Sequence, residues 1–266
     1  MSNPILNDAN FDKTMTNAGW AAPDPGTRSA PIDDGPVSPW TAAGERMTIG
    51  GTLTATGVLF TILLIAAAFG WNAIDDVDDT FPVLAMAGIA VGFGCAIAMM
   101  FKPGLAKILG PIYALAQGYV VGVISRYYDE RFNGIVIQAV GATLGVFLVM
   151  LIIYRTRLIR VTAGFKRVVI AATLGLMAFY FMSFILSLFG VEIGIFSSAS
   201  GLGIAFSVGA ALLAAFNLML DFDFIEKGVE RGLPKQMEWV GAFGLMVTLV
   251  WLYLELLRLL AKLQSR

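Results

Sequence analysis

The stretch SSASGLGIAFSVGAALLAAFNLMLDFDFIEKG, residues 197–228, contains an apolar run that ends in two aspartates. Residues 197–220 carry no charged side chain, and Asp221 and Asp223 follow at once. A helix of about 20 residues crosses the roughly 30 Å hydrocarbon core of a bilayer, so this run is long enough to span a membrane. The two aspartates either form a working site or mark the place where the helix leaves the membrane.

The composition extends this interpretation to the whole chain. Of 266 residues, 58% are hydrophobic and 14% are charged, whereas a soluble domain is about 45–50% apolar and about 25% charged. Seven apolar segments are each long enough for a membrane helix and lack the alternation of barrel strands; they lie near 47–71, 81–101, 109–127, 133–154, 168–189, 197–220 and 239–260. The sequence therefore predicts an all-α integral membrane protein, a seven-transmembrane-helix bundle.

The first 45 residues differ from the rest and predict a separate region. They contain six of the ten prolines and show no helical or strand period, so we expect 1–45 to be a flexible polar tail and 46–266 to be the membrane domain. Cytoplasmic loops are enriched in Lys and Arg. With the N-terminus inside, thirteen basic residues lie on the inner side and five on the outer side. This bias predicts a cytoplasmic N-terminus and an outer C-terminus.

Several classes of function are excluded by residues that the chain lacks. It has no histidine, which removes Ser-His-Asp and Cys-His catalysis, His-bound zinc and His-ligated haem. Cys95 is the single cysteine, so an intrachain disulfide is impossible. The net charge is −1 and no basic block suggests a nucleic-acid surface. We therefore expect neither an enzyme nor a nucleic-acid-binding protein, and no cofactor.

A stripe of small and polar residues runs along the sixth predicted helix. Its members recur at spacings of 4, 3, 4, 3 and 4, which place them on one helix face: Gly203, Ser207, Ala210, Ala214, Asn217 and Asp221. Close helix packing accounts for the small residues. Asn217 and Asp221, one turn apart at the cytoplasmic end, are equally well explained as a terminal polar patch and as a functional site.

The other carboxylates near the membrane have simpler explanations than a functional site. Asp223 lies about 200° around a regular helix from Asp221 and one turn before Lys227, which favours a solvated ion pair. The two aspartates could face one ion if the helix ended near Leu220. Glu238 begins the seventh helix, where the helix dipole alone favours a carboxylate. Glu226 is expected to be an exposed loop charge, and Glu255 to pair with Arg258.

Three stretches together resemble the Bax inhibitor 1/YccA-like family, also called the transmembrane BAX inhibitor motif proteins. They are GPIYALAQGYVVGVISRYY (110–128), LMLDFDFIEKG (218–228) and AFGLMVTLVWLYLELLRLL (242–260). The resemblance covers roughly 47–262 and is closest to the bacterial branch. It implies a bundle with the last helix central and a place in the bacterial inner membrane. Family members resemble pH-sensitive calcium leak channels, and one bacterial member modulates a membrane-bound protease.

The resemblance also implies a site. In the family, one carboxylate in the sixth helix and one in the seventh share a proton near an arginine of the second. The sixth-helix position falls on Asp221, the seventh on Thr248, which cannot ionise, and the basic position within a residue or so of Lys102. We expect Asp221, with Asp223 or Glu238, to form a proton- or cation-sensitive gate closed by Lys102. Calcium is then the permeant or regulatory ion.

The alternative is an interaction protein that modulates a membrane-bound protease or stress-response complex. Its support in the sequence is the polar tail at 1–45. In both interpretations the lipid bilayer surrounds the helices.

Overall fold

Seven long helices are found in the part of the chain that the structure describes. A computed structural model describes residues 46–73, 82–190 and 200–265. Within these residues the helices are α1 Ile49–Trp71, α2 Val83–Phe101, α3 Ala106–Arg131, α4 Ile135–Arg155, α5 Ala163–Leu188, α6 Gly201–Glu230 and α7 Met237–Gln264, with a short 3-10 helix Pro103–Leu105 before α3. All seven are long and apolar enough to cross a membrane, which confirms the predicted all-α seven-span bundle.

The structure corrects the position at which the sixth helix ends. The sixth apolar run was expected to end at Leu220, but α6 continues for ten residues to Glu230. This last part is helical although it carries charges. Asp223 and Lys227 lie one turn apart and form an ion pair that stabilises the helix. The helix stops before Gly232, whose φ of 62° is a left-handed conformation that suits glycine and ends helices. Asp221 and Asp223 therefore lie on a regular helix and point to different sides.

Backbone-to-backbone contact at glycines holds α1 against α3. A Cβ added to Gly118 would lie 2.3 Å from the Leu63 carbonyl oxygen, and one added to Gly122 would lie 2.0 Å from that of Ala67. Small residues allow such close approach between helices in lipid, where the hydrophobic effect does not drive helices together. The α1–α3 pair is thus a tightly packed side of the bundle.

The last helix is central, as the family resemblance implied. It packs against α1, α3, α4 and α6, and buried residues recur along its whole length. Four of its buried side chains are polar or charged: Glu238, Thr248, Glu255 and Lys262. By contrast, α5 packs mainly on α6 and presents most of its surface to the surroundings. Among the described residues, α7 therefore carries more buried polar side chains than any other helix.

Some sequence predictions lie outside the described residues. These are the flexible tail at 1–45 and most of the aspartate-rich loop at 72–80. They remain predictions.

The contact between α1 and α3 predicts opposite effects for two Gly→Ala substitutions. Gly118→Ala would force a methyl group against the α1 backbone and should destabilise the protein by about 1–3 kcal/mol. Gly145→Ala, on α4, has no atom within 4 Å of the new methyl group and should be neutral or stabilising by up to about 1 kcal/mol, because alanine favours helix. Unfolding in detergent, followed by circular dichroism, measures both. Equal effects would contradict the close packing of α1 on α3.

Candidate functional site

The α6–α7 interface leaves space for a carboxyl group at Gly244. A Cβ added to this glycine would lie 3.1 Å from Oδ1 of Asp221. One turn earlier, Gly241 brings α7 close to Ile225 in the same way, at 3.1 Å. Because both positions lack a side chain, α7 approaches the C-terminal half of α6 closely and encloses the Asp221 side chain. The sequence stripe that ended in Asp221 does face inward.

Asp221 faces Thr248 on α7, and one oxygen of its carboxyl group lacks a hydrogen-bond partner among the described residues. The Thr248 side chain hydrogen-bonds its carboxyl group. Oδ2 is buried and has no hydrogen-bond partner among the described residues. A buried polar atom that lacks a partner is costly, and such atoms are rare in native structures. Among the described residues, Oδ2 of Asp221 is therefore a buried oxygen that is free to accept a hydrogen bond.

Two lysines form ion pairs with Asp223 on the other side of α6. Its carboxylate, 4% exposed, accepts a hydrogen bond of 2.6 Å from Nζ of Lys227 and a short one from Lys166 on α5. The Asp223–Lys227 pair that the sequence favoured is confirmed. It is not solvated, however, because the carboxylate is buried between α5 and α6. We interpret Asp223 as a structural ion pair.

Glu238 accepts hydrogen bonds at the N-terminus of α1. Its Oε1 accepts hydrogen bonds of 2.9 Å from both the backbone N–H and the hydroxyl of Thr48, the N-cap residue of that helix. The Thr48 hydroxyl in turn accepts one of 2.9 Å from Gly51 N–H. A carboxylate at a helix N-terminus is favoured by the exposed N–H groups and the dipole. The helix favoured by this charge is α1, rather than the helix that carries Glu238.

The contacts described for the remaining candidates, Asn217 and Lys102, do not include Asp221. Asn217 donates a hydrogen bond of 2.8 Å to the hydroxyl of Thr173 on α5. Lys102 is the exposed C-cap residue of α2 and forms no ion pair with a described residue. The structure thus brings Asp221 together with Thr248, and gives Asp223, Glu238 and Asn217 other partners. The expected cluster of Asp221 with a second carboxylate and Lys102 stays a prediction, and the neighbour described for Asp221 is the Thr248 hydroxyl.

A second polar cluster lies at the far end of α7. Oε2 of Glu255, a residue 1% exposed, accepts a hydrogen bond of 3.0 Å from Arg258. Its Oε1 accepts bonds from Tyr180 at 2.7 Å and from Trp251 at 3.2 Å. The Glu255–Arg258 pair predicted from the sequence is confirmed, and Tyr180 ties it to α5.

Glu226 was expected in a loop, and that expectation was wrong. It lies in α6, where it accepts a short hydrogen bond from the hydroxyl of Tyr154 and one of 2.9 Å from Arg157. These contacts connect the C-terminal part of α6 to the end of α4. The error follows from placing the helix end at Leu220.

A regular polar series on α5 was missed in the sequence. Lys166, Thr173 and Tyr180 follow one another at intervals of seven residues, so they share one helix face. Their partners are Asp223, Asn217 and Glu255 respectively. Three polar residues at heptad spacing within an apolar run were the available signal. They show that α5 is fixed to α6 and α7 by hydrogen bonds more than by close packing.

No preformed metal cage is present in the part of the chain described by the structure. Within residues 46–73, 82–190 and 200–265, no three Asp, Glu, His or Cys side chains are grouped so that they could hold an ion. One carboxyl and one hydroxyl face each other at Asp221 and Thr248. Such a pair can bind a proton or interact briefly with a passing cation, whereas storage of Ca²⁺ takes six to eight oxygen ligands.

Seven apolar helices, with α7 central among them, define a multi-pass membrane protein. The family model described as Bax inhibitor 1 like matches residues 3–265, so the chain belongs to the Bax inhibitor 1-like family. The match begins well before residue 47, so it also takes in the tail that the sequence resemblance left out. No curated protein matches the chain.

The two lysines around Asp223 predict a non-additive loss of stability. Lys166→Met or Lys227→Met alone should cost about 1 kcal/mol or less, because each lysine is partly exposed and the other still pairs with Asp223. The double substitution should cost clearly more than the sum, because it leaves a buried carboxylate without a cation. A double-mutant cycle of unfolding free energies in detergent measures this coupling. Simple additivity would show that Asp223 does not depend on the two lysines jointly.

Proposed function

We propose that this protein is a pH-sensitive cation leak channel, with Asp221 as the carboxylate that a permeant calcium ion meets. The observation that supports this proposal is the buried Asp221 Oδ2, which has no hydrogen-bond partner among the described residues. Ionisable residues at membrane depth usually face the bundle interior and mark ion or proton pathways. Membership of the Bax inhibitor 1-like family adds weight, since the resemblance above implies calcium leak.

The chemistry of the pair suits transient binding. An ionised carboxylate in a low-dielectric interior attracts a cation far more strongly than one in water. Ca²⁺ prefers oxygen ligands, and the Thr248 hydroxyl and the Asp221 carboxylate are oxygen donors. Two such residues hold an ion weakly, so an ion can leave as readily as it enters, which conduction requires.

Protons compete with cations for the same oxygen. When Asp221 is protonated it is neutral and no longer attracts a cation. Two neighbouring carboxylates would titrate as a coupled pair, but Thr248 stands opposite Asp221 here, so the response belongs to a single carboxyl group. We therefore infer a simple one-site dependence of flux on pH, with flux higher where Asp221 is ionised.

The expected setting is the bacterial inner membrane with a cytoplasmic N-terminus. The excess of Lys and Arg in the loops assigned to the inner side supports this orientation. Asp221 then lies toward the cytoplasmic end of α6, and Lys262 lies toward the opposite surface.

The direct test is calcium flux into liposomes that contain the purified protein. We expect wild-type flux to rise by severalfold from acidic to alkaline pH, and Asp221→Asn to give a low flux without pH dependence. Thr248→Asp should change the shape of the pH profile, because two facing carboxylates titrate over a wider range than one. Glu230→Gln, an exposed carboxylate on the same helix, is the matched control and should retain the wild-type profile.

Identical profiles for wild type and Asp221→Asn would overturn the assignment of Asp221. Absence of flux in every variant would overturn the channel itself and favour the alternative, a modulator of a membrane protease. Deletion of residues 1–45, with protease turnover and ion flux measured separately, distinguishes these two roles.

A further inference from the structure

We propose that Lys262 is a cation barrier at the end of the α6–α7 interface opposite to Asp221. This inference rests on the proposed cation leak and assigns a second, charge-selective position on the same interface. It begins from an unusual feature, a lysine that is 5% exposed inside a membrane helix. Lysine near the end of such a helix ordinarily extends its ammonium group toward the water. Lys262 turns inward instead.

Lys262 lies on the same face of α7 as the proposed cation site. Thr248, Glu255 and Lys262 follow one another at intervals of seven residues, or two helical turns. Fourteen residues separate Thr248 from Lys262, which is about 21 Å along a helix at 1.5 Å per residue. An ion that followed this face across most of the bilayer would pass both ends of the series.

The ammonium group is fixed on the inward face of α6. Nζ of Lys262 donates a hydrogen bond of 3.0 Å to the Gly203 carbonyl oxygen and one of 2.9 Å to the Ser207 hydroxyl. Gly203 and Ser207 are the first two members of the small-polar stripe whose last member is Asp221. The stripe thus has a carboxylate at one end and an ammonium group at the other. Both are held by contacts between α6 and α7.

The neighbouring carboxylate of Glu255 has its own set of donors. Arg258, Tyr180 and Trp251 all hydrogen-bond it. Because Glu255 and Arg258 already pair with each other, a cation that arrived at this level would meet the ammonium group of Lys262. Since like charges repel strongly where water is scarce, this end opposes cation entry, and the hydrogen bonds of Lys262 also close the gap between α6 and α7. Release of Lys262 from Gly203 and Ser207 is then the step that opens this end.

Removal of the charge should increase cation flux. In the liposome assay, Lys262→Met should raise calcium flux by about tenfold, the change in rate that a barrier lowered by 1.4 kcal/mol produces. Lys262→Arg retains the charge and should remain close to wild type. Lys107→Met, at an exposed lysine on α3, is the matched control and should leave flux unchanged. Lys262→Gln retains hydrogen-bond donors without the charge and provides a second neutral variant if Lys262→Met does not fold.

A chemical test separates charge from structure. Lys262→Cys is made together with Cys95→Ala, which removes the single native cysteine. Modification by a positively charged methanethiosulfonate reagent should restore low calcium flux, and modification by an uncharged reagent of similar size should leave it high. A purely structural role of Lys262 predicts equal effects of the two reagents, and that result would overturn the barrier.

The outcomes also distinguish this inference from the proposed function. Flux that depends on Asp221 but is the same in Lys262→Met, Lys262→Gln and wild type would overturn the barrier and leave the channel standing. Absence of Asp221-dependent flux in all variants, the neutral Lys262 variants included, would overturn the channel and the barrier with it.

Discussion

The structure depends on one constraint: polar side chains within a bilayer must find partners inside the bundle. Hydrocarbon offers no hydrogen bonds, and each unsatisfied group costs several kcal/mol. The central helix α7 meets this constraint with a different partner at nearly every level. Glu238 binds the N-terminus of α1, Thr248 binds Asp221 on α6, and Tyr253 shares a hydrogen bond of 2.7 Å with Ser125 on α3. The hydrogen bonds of α7 therefore hold the other helices in place, which explains its central position.

The same constraint gives Asp221 its significance. Asp223, Glu238 and Glu255 are all buried carboxylates, and the structure supplies each with two or more donors. Asp221 has Thr248, while Oδ2 has no partner among the described residues. A site that binds and releases an ion requires an unsatisfied group of this kind, since a fully paired carboxylate has little capacity for another cation. The contrast among these four acids supports a functional role for Asp221 more strongly than its position alone.

Much of the fold could be predicted from the sequence, because membrane helices are long and apolar. Pairs close in the chain were also predictable: Asp223 with Lys227 and Glu255 with Arg258 lie one turn apart. Contacts between distant residues were not, and Thr48 meets Glu238 across 190 positions. No periodicity shows which helices become neighbours. The end of α6 was missed because the loss of apolar character at Asp221 was taken for the end of the helix.

Only the family resemblance indicated, from the sequence, that Asp221 and Thr248 lie at one site. The resemblance placed both residues at one site, and the structure puts them in contact. It could not show that Lys102 is exposed or that Asp223 and Glu238 are occupied elsewhere, because these facts depend on contacts made by this chain's own Lys166 and Thr48.

The central claim is that the Asp221 carboxyl group interacts directly with a cation. Infrared difference spectroscopy on protein with isotope-labelled aspartate, recorded with and without calcium, observes that group most directly. Our account predicts a calcium-induced change in a carboxyl band that is present in wild type and absent in Asp221→Asn. A wild-type spectrum that calcium leaves unchanged, or a change that survives in Asp221→Asn, would contradict it.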